Sequence, residues 1–177
     1  MNNYEWYTPN FIVDAARDVL GQIDLDPASC VEANRIIKAK KYFSRADDGL
    51  KKIWSGKIFL NPPYARRLIE KFVDKLLASD FEEAIALTGA CTETKWFSRL
   101  ATCAACVCFV QKRIRFIQAD GTPCKKNPRN GSCIFYFGRN PQKFFYVFSH
   151  FGLCTQFNLQ TAQIESYRKD FRSVILC

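Results

Sequence analysis

An α/β fold with a mostly parallel central sheet and helices on both of its faces is predicted by two features of this 177-residue chain. Strand-like stretches alternate with stretches of helical periodicity, the order a parallel sheet requires because its crossovers are helical. Several of the strand-like stretches are apolar at nearly every position, Cys106-Val107-Cys108-Phe109-Val110 among them. Such runs belong to strands covered on both faces.

The elements follow in order. Thr8-Pro9 precedes Phe11, Ile12, Ala15, Ala16, Val19 and Leu20. This predicts an amphipathic helix with Thr8 as N-cap, Pro9 at the first helical position and Gly21 as the stop. Residues 23–27 form a short strand ending in the Asp26-Pro27 turn, and residues 31–41 a helix. A second strand, Lys57 to Asn61, is cut off by Pro62-Pro63, since proline cannot continue a central ladder. Between Arg67 and Ala78, the apolar residues Leu68, Ile69, Phe72, Val73, Leu76 and Leu77 recur at helical spacing. Strands at 83–87, 106–110 and 132–137 and a helix at 94–101 complete the series. No repeat, low-complexity tract or linker divides the chain, so 1–177 is read as one domain. The long polar stretch Gln118 to Gly131 holds Lys125, Lys126 and Arg129, and a loop of that length in a compact domain is usually functional.

Composition narrows the function classes. With 48% hydrophobic residues, 16 Phe, 7 Tyr and 3 Trp, disorder is excluded as the main state. The net charge is +9, and its distribution is uneven. Residues 1–88 hold 13 basic and 13 acidic residues, whereas residues 89–177 hold 13 basic residues and four acids. Eight basic residues lie between Lys112 and Lys143 against one acid, Asp120, which suggests a phosphate-contacting surface and a nucleic-acid partner. The first residues lack a basic-then-apolar signal, and no apolar run approaches 18 residues, so a cytoplasmic protein without a membrane partner is expected. The nine cysteines are read as reduced and mostly buried. Metal is not expected, because the Cys103/Cys106/Cys108 cluster has no second CxxC and the one histidine, His150, is remote in sequence.

The chemistry concentrates at Asn61-Pro62-Pro63-Tyr64, directly after a predicted strand. Ligands in open α/β sheets bind beyond the carboxyl ends of strands. The prolines have no N–H, so the turn presents backbone carbonyls on a stiff frame. Asn61 adds a side-chain acceptor and Tyr64 a flat ring. Two acceptors beside a ring suit a planar base with an exocyclic amine. They would draw its lone pair out of the π-system while the ring stacks on the base. Against this stands a plain turn that ends a strand, with Tyr64 as packing. Likewise Thr8-Pro9 is explained by a helix cap, Asp26-Pro27 and Asp48-Gly49 by turns, and Phe116, Trp96 and Phe97 by the core.

Several segments in shared order resemble the phage-type, Dam-like DNA N6-adenine methyltransferases over about residues 5–138. They are Trp6-Tyr7-Thr8-Pro9, Leu25-Asp26-Pro27-Ala28-Ser29, Asp47-Asp48-Gly49-Leu50 with Trp54, and Asn61-Pro62-Pro63-Tyr64. Thr92-Glu93-Thr94-Lys95-Trp96-Phe97 and Arg113-Ile114-Arg115-Phe116 continue the series. The resemblance implies a Rossmann-like S-adenosylmethionine-dependent methyltransferase fold and methyl transfer to adenine N6 in DNA by base flipping, without metal. It implies that Tyr7, Thr8 and Pro9 line the methionine end of the cofactor and that Asp26, Ala28 and Ser29 form its first loop. Asp47 or Asp48, beside Leu50, would meet its adenine. Asn61 and the Pro62 carbonyl would grip the target amine, with Pro63 stiffening the turn and Tyr64 stacking on the flipped base. Arg113, Arg115, Lys125, Lys126 and Arg129 are the candidate DNA contacts.

One departure is the absence of any glycine in the loop after the first strand, where many such enzymes carry Gly-x-Gly; no acid for the ribose stands out beyond Glu32. Protein-glutamine methylation, cytosine-N4 methylation and a silent DNA-binding module of the same fold are the competing readings. Since no separate target-recognition domain is visible, specificity would come from the 118–131 loop, the segment after Phe144, or a second copy of the chain in a homodimer. The resemblance also implies a role in phage or plasmid DNA protection, which the residues themselves do not carry.

Overall fold

A computed structural model describes residues 6–65, 67–118, 120–124 and 128–156. Its centre is a seven-stranded sheet, built from β1 (Leu25–Asp26), β2 (Lys41–Tyr42), β3 (Lys57–Leu60), β4 (Glu83–Gly89), β5 (Cys106–Val110), β6 (Ser132–Phe137) and β7 (Gly152–Gln156). The spatial order is β2-β1-β3-β4-β6-β5-β7. The pairs among β2, β1, β3 and β4 are parallel, and β6 runs antiparallel between β4 and β5. Five helices cover it: α1 (Asn10–Leu20), α2 (Val31–Ile37), α3 (Leu68–Ala78), α4 (Lys95–Cys103) and α5 (Pro141–Phe148). The predicted α/β class is therefore the observed one, an open, doubly wound sheet of the Rossmann-like kind.

Period-two alternation divides the central strands between two cores. Phe59, Ile85 and Leu87 face one core, with α1 and α5 residues such as Ile12, Val19, Phe144 and Phe148. Ile58, Leu60, Ala84 and Ala86 face the other, with Ile69, Phe72 and Leu76 of α3 and Leu100 of α4. With both faces buried, every residue from Ala84 to Leu87 is fully inaccessible. The cysteines of the tight cluster divide between strand and helix, with Cys106 and Cys108 on β5 and Cys103 at the end of α4. Cys106 and Cys108 lie in the first core and Cys103 in the second.

Three boundaries differ from expectation. Pro9, not Thr8, is the N-cap of α1, so the Thr8 side chain is released from capping. The helix predicted over 31–41 ends at Ile37, because Lys38 turns left-handed (φ 53°), and Lys41-Tyr42 forms the edge strand β2. The segment after Phe144 is not an open tail up to Gln156, although Tyr146 and Leu153 are exposed on it. There α5 buries Phe144 and Phe148, and β7 pairs with β5.

Candidate active site

From β1 the chain passes through α2 to β2, and from β3 through α3 to β4, on opposite sides of the β1–β3 pair. The strand order reverses there, which opens a crevice beyond the carboxyl ends of those two strands. Asp26-Pro27-Ala28-Ser29 leaves the end of β1, and Asn61-Pro62-Pro63-Tyr64 leaves the end of β3.

Asn61 is half-buried and engaged at both ends of its amide. Nδ2 donates to Thr8 Oγ1 at 3.2 Å, and Oδ1 accepts from the Tyr64 hydroxyl at 3.3 Å. That hydroxyl also lies 3.4 Å from the Leu87 carbonyl oxygen on β4. Leu87 has no signal in the motif itself; its place at the end of the strand next to β3 brings it in. Tyr64 as a whole is 44% exposed, yet its polar end is turned inward. Desolvation there, followed by the neighbouring Cys91 and Cys133, holds the phenol above its usual pKa. Pro62 is buried and Pro63 half-buried.

Asp26 is 1% exposed. Burial raises its pKa to about 6, against the pull of the Ala28 N–H, which donates to Oδ1 at 3.1 Å, and of the nearby Ser29 side chain. This is an Asx turn that leaves a buried carboxylate at the end of β1 without help from a basic side chain. The Ser29 hydroxyl is buried and meets no hydrogen-bond partner within 3.5 Å.

The glycine missing from this loop is supplied from elsewhere. A Cβ on Gly49 would run into the carbonyl oxygen of Pro27, and the Gly49 carbonyl accepts from Trp54 Nε1 at 2.8 Å. The Asp47-Asp48-Gly49-Leu50 segment is thereby seated directly on the β1 loop. Leu50 packs partly into the second core. Asp47 accepts from the Ser44 N–H (2.8 Å) and hydroxyl (2.6 Å), which hold its carboxyl below the usual range. Asp48, left-handed at φ 49°, pairs with Lys51 at 3.2 Å. Glu32 is exposed in the first turn of α2, where its own backbone N–H lowers its pKa.

The N-terminal segment joins the same end of the sheet through Ile117. Tyr7, buried, exchanges two backbone hydrogen bonds with Ile117, at 2.8 and 2.9 Å, and Thr8 is 1% exposed. Phe116 is core, stacked on Trp6 at 5.9 Å, and Trp96 and Phe97 are buried.

The basic stretch divides. Residues 112–117 follow the carboxyl end of β5, and residues 128–131 precede antiparallel β6, so both lie at the crevice end of the sheet. Arg113, Arg115 and Arg129 are all exposed, and Arg113 donates to the carbonyls of Pro128 and Arg129. Asn130 Nδ2 reaches Cys91 Sγ at 3.0 Å, which ties the loop beside Tyr64. Lys125 and Lys126 lie outside the described residues. Arg139 and Lys143 follow the far end of β6, where Arg139 neighbours Glu82 and Glu83, so they do not share that surface. Among the described residues, no group of three or more His, Cys, Asp or Glu is placed to hold a metal, and no helix is long and apolar enough to cross a membrane.

Residues 2–160 match the family described as DNA N-6-adenine-methyltransferase (Dam). No curated protein matches the chain. A solved structure of a dimethyladenosine transferase from Plasmodium falciparum is similar at 14% identity and a TM-score of 0.44, over 80% of this chain and 65% of that one. This chain thus spans slightly under two thirds of that protein's length.

Proposed function

The chain belongs to the DNA N-6-adenine-methyltransferase (Dam) family, and we propose that it transfers a methyl group from S-adenosylmethionine to the exocyclic N6 amine of an adenine flipped out of DNA. The observation that carries this reading is that Asn61 and Asp26 stand at the carboxyl ends of the paired strands β3 and β1, with Thr8 bonded to Asn61 across 53 residues of chain.

The residues on the β1 side fit a cationic cofactor. A buried carboxylate that burial penalises, and that no basic side chain steadies, is relieved by a bound cation. The Ser29 hydroxyl is buried beside the Asp26 carboxyl, and Ala28 leaves room for close backbone approach. Asp26 and Ser29 would hold the amino-acid end, with Leu50 and either Asp48 or Asp47 toward the adenine. When bound, S-adenosylmethionine supplies a methyl group on a sulfonium sulfur that leaves as a neutral thioether, so no oxyanion hole is needed.

The chain's own work is positioning and shaping charge. Asn61 Oδ1 and the Pro62 carbonyl oxygen would accept the two N–H groups of the target amine, which draws its lone pair out of the ring. Tyr64 would exchange its hydroxyl contact with Asn61 for stacking against the base. Asn61 is no base, so the amine's surplus proton passes to water. Arg115, Arg129, Lys125 and Lys126 would contact phosphates, and Arg113 would shape the loop that carries them.

The test is incubation with methyl-labelled S-adenosylmethionine and adenine-containing duplex, digestion to nucleosides, and identification of the labelled base. N6-methyladenine supports the reading. Label on cytosine N4 or on a glutamine side chain reassigns the acceptor. DNA binding with no calorimetric binding of the cofactor makes the chain a silent module.

A further inference from the structure

We infer that Thr8 is a positioning residue for Asn61: its hydroxyl oxygen holds the side-chain amide so that Oδ1 faces the crevice. The inference rests on the reading above, in which Asn61 accepts from the target amine. It gives Thr8 a task different from lining the methionine end of the cofactor.

Three observations carry it. Thr8 is 1% exposed, and its side chain is not used in capping α1. Its Oγ1 instead accepts from Asn61 Nδ2 at 3.2 Å. Its backbone is fixed on both sides. Tyr7 is bonded both ways to Ile117, at 2.8 and 2.9 Å, and the Pro9 carbonyl accepts from Ile12 and Val13 N–H at 3.1 and 3.3 Å. The hydroxyl oxygen is therefore a stationary point toward which Asn61 can be aimed.

Aiming matters because the asparagine amide offers an acceptor at one end and a donor at the other. Turned by half a rotation, it would present N–H to an amine that itself donates. With Nδ2 on Thr8, Oδ1 is left toward the crevice, where it accepts from the Tyr64 hydroxyl at 3.3 Å. An incoming amine replaces that one donor and finds the acceptor already oriented. Thr8 itself touches no reacting atom.

Thr8→Val keeps the shape and removes the acceptor, whereas Thr8→Ser keeps the acceptor. Cofactor affinity is measured by calorimetry, and single-turnover methylation of duplex is measured at saturating S-adenosylmethionine. We expect Thr8→Val to slow transfer about ten- to a hundredfold, as misaligned groups do, with cofactor Kd within about twofold and Thr8→Ser close to wild type. Combined with Asn61→Ala, Thr8→Val should add nothing, because it acts through the residue already removed. Weakened cofactor binding with an unchanged saturated rate would make Thr8 a cofactor contact and overturn the inference. So would full additivity with Asn61→Ala. If the wild-type protein methylates no DNA, the functional reading fails separately. The Asn61 side-chain 15N–1H resonances then decide the link: they should shift in Thr8→Val and return in Thr8→Ser, and identical spectra from all three proteins would refute it.

Discussion

Gly49 lies so close against Pro27 that a single Cβ would collide with the Pro27 carbonyl oxygen. The obstacle is backbone, which cannot rotate aside as a side chain can. Gly49→Ala must displace either the β1 loop or the turn that Trp54 Nε1 secures at 2.8 Å. We expect a loss of about 1–3 kcal/mol, read as a fall in Tm of about 2–4 °C for each kcal/mol. Cofactor binding should weaken with it, because both displaced segments are candidate cofactor loops. An unchanged melting curve would mean that the loop yields freely.

Asp26 makes stability and binding depend on pH in opposite senses. Its folded-state pKa is raised to about 6 from 3.8. Below the lower value the carboxyl is protonated in folded and unfolded chains alike. As pH climbs from about 4 to about 6 the unfolded chain ionises first, so this residue removes stability across that window and no more above it. Two pKa units correspond to at most about 3 kcal/mol. Asp26→Asn should therefore melt higher than wild type at pH 7.5 and lose this pH dependence, while a cationic cofactor should bind wild type more tightly as pH passes 6. An Asp26→Asn protein that binds the cofactor normally would remove Asp26 from the site.

The two parts of Tyr64 separate by substitution. Tyr64→Phe keeps the ring and removes only the hydroxyl contacts to Asn61 and Leu87, at 3.3 and 3.4 Å. Methylation should stay within about threefold, since no net neutral hydrogen bond to the substrate is lost. Tyr64→Ala removes a stacking platform worth about 1–3 kcal/mol per base, so kcat/KM should fall tenfold or more. Equal losses in both variants would make the hydroxyl, not the ring, the functional group.

The arginines near the crevice should divide by salt dependence. Neutralising Arg115 and Arg129, or Lys125, Lys126 and Arg129 together, should flatten the plot of log affinity against log salt by about 0.9 for each phosphate that is no longer neutralised. Arg113→Gln should leave the slope nearly unchanged and instead speed proteolysis of the 118–131 loop, because its guanidinium is bonded to the Pro128 and Arg129 carbonyls. A slope flatter by a full unit in Arg113→Gln would contradict that assignment.

Much of the fold was legible in the chain. The runs at 58–60, 106–110 and 133–137 are apolar on both faces, and they lie in strands at those positions. β2 escaped because two residues, one of them an exposed lysine, hold no periodicity, and α5 because Phe144, Phe145, Tyr146 and Phe148 suit strand as well as helix. The start signals of α5 were nonetheless present: Pro141 at the first turn, and Asn140, whose side chain accepts from the Lys143 N–H at 3.1 Å. At the site, the motif segments could be read singly, but their meetings could not. Thr8 reads as a helix cap until Asn61 lies beside it, and Gly49 reads as a turn until Pro27 does. Arg113 reads as a free charge until the Pro128 and Arg129 carbonyls lie beside it. Each of these depends on a partner far along the chain, which local pattern does not encode.

The insertion of β6 between β4 and β5 has a consequence for synthesis. During translation β4 and β5 emerge before the strand that joins them. Until Phe137 has left the ribosome, the growing chain carries two raw apolar edges that cannot satisfy each other, and such edges recruit other chains. The nascent protein is thus most vulnerable to aggregation late, over the stretch that includes the 118–131 loop. A chain cut short before β6 would keep a sticky half-sheet, whereas one that includes β6 has its central gap closed.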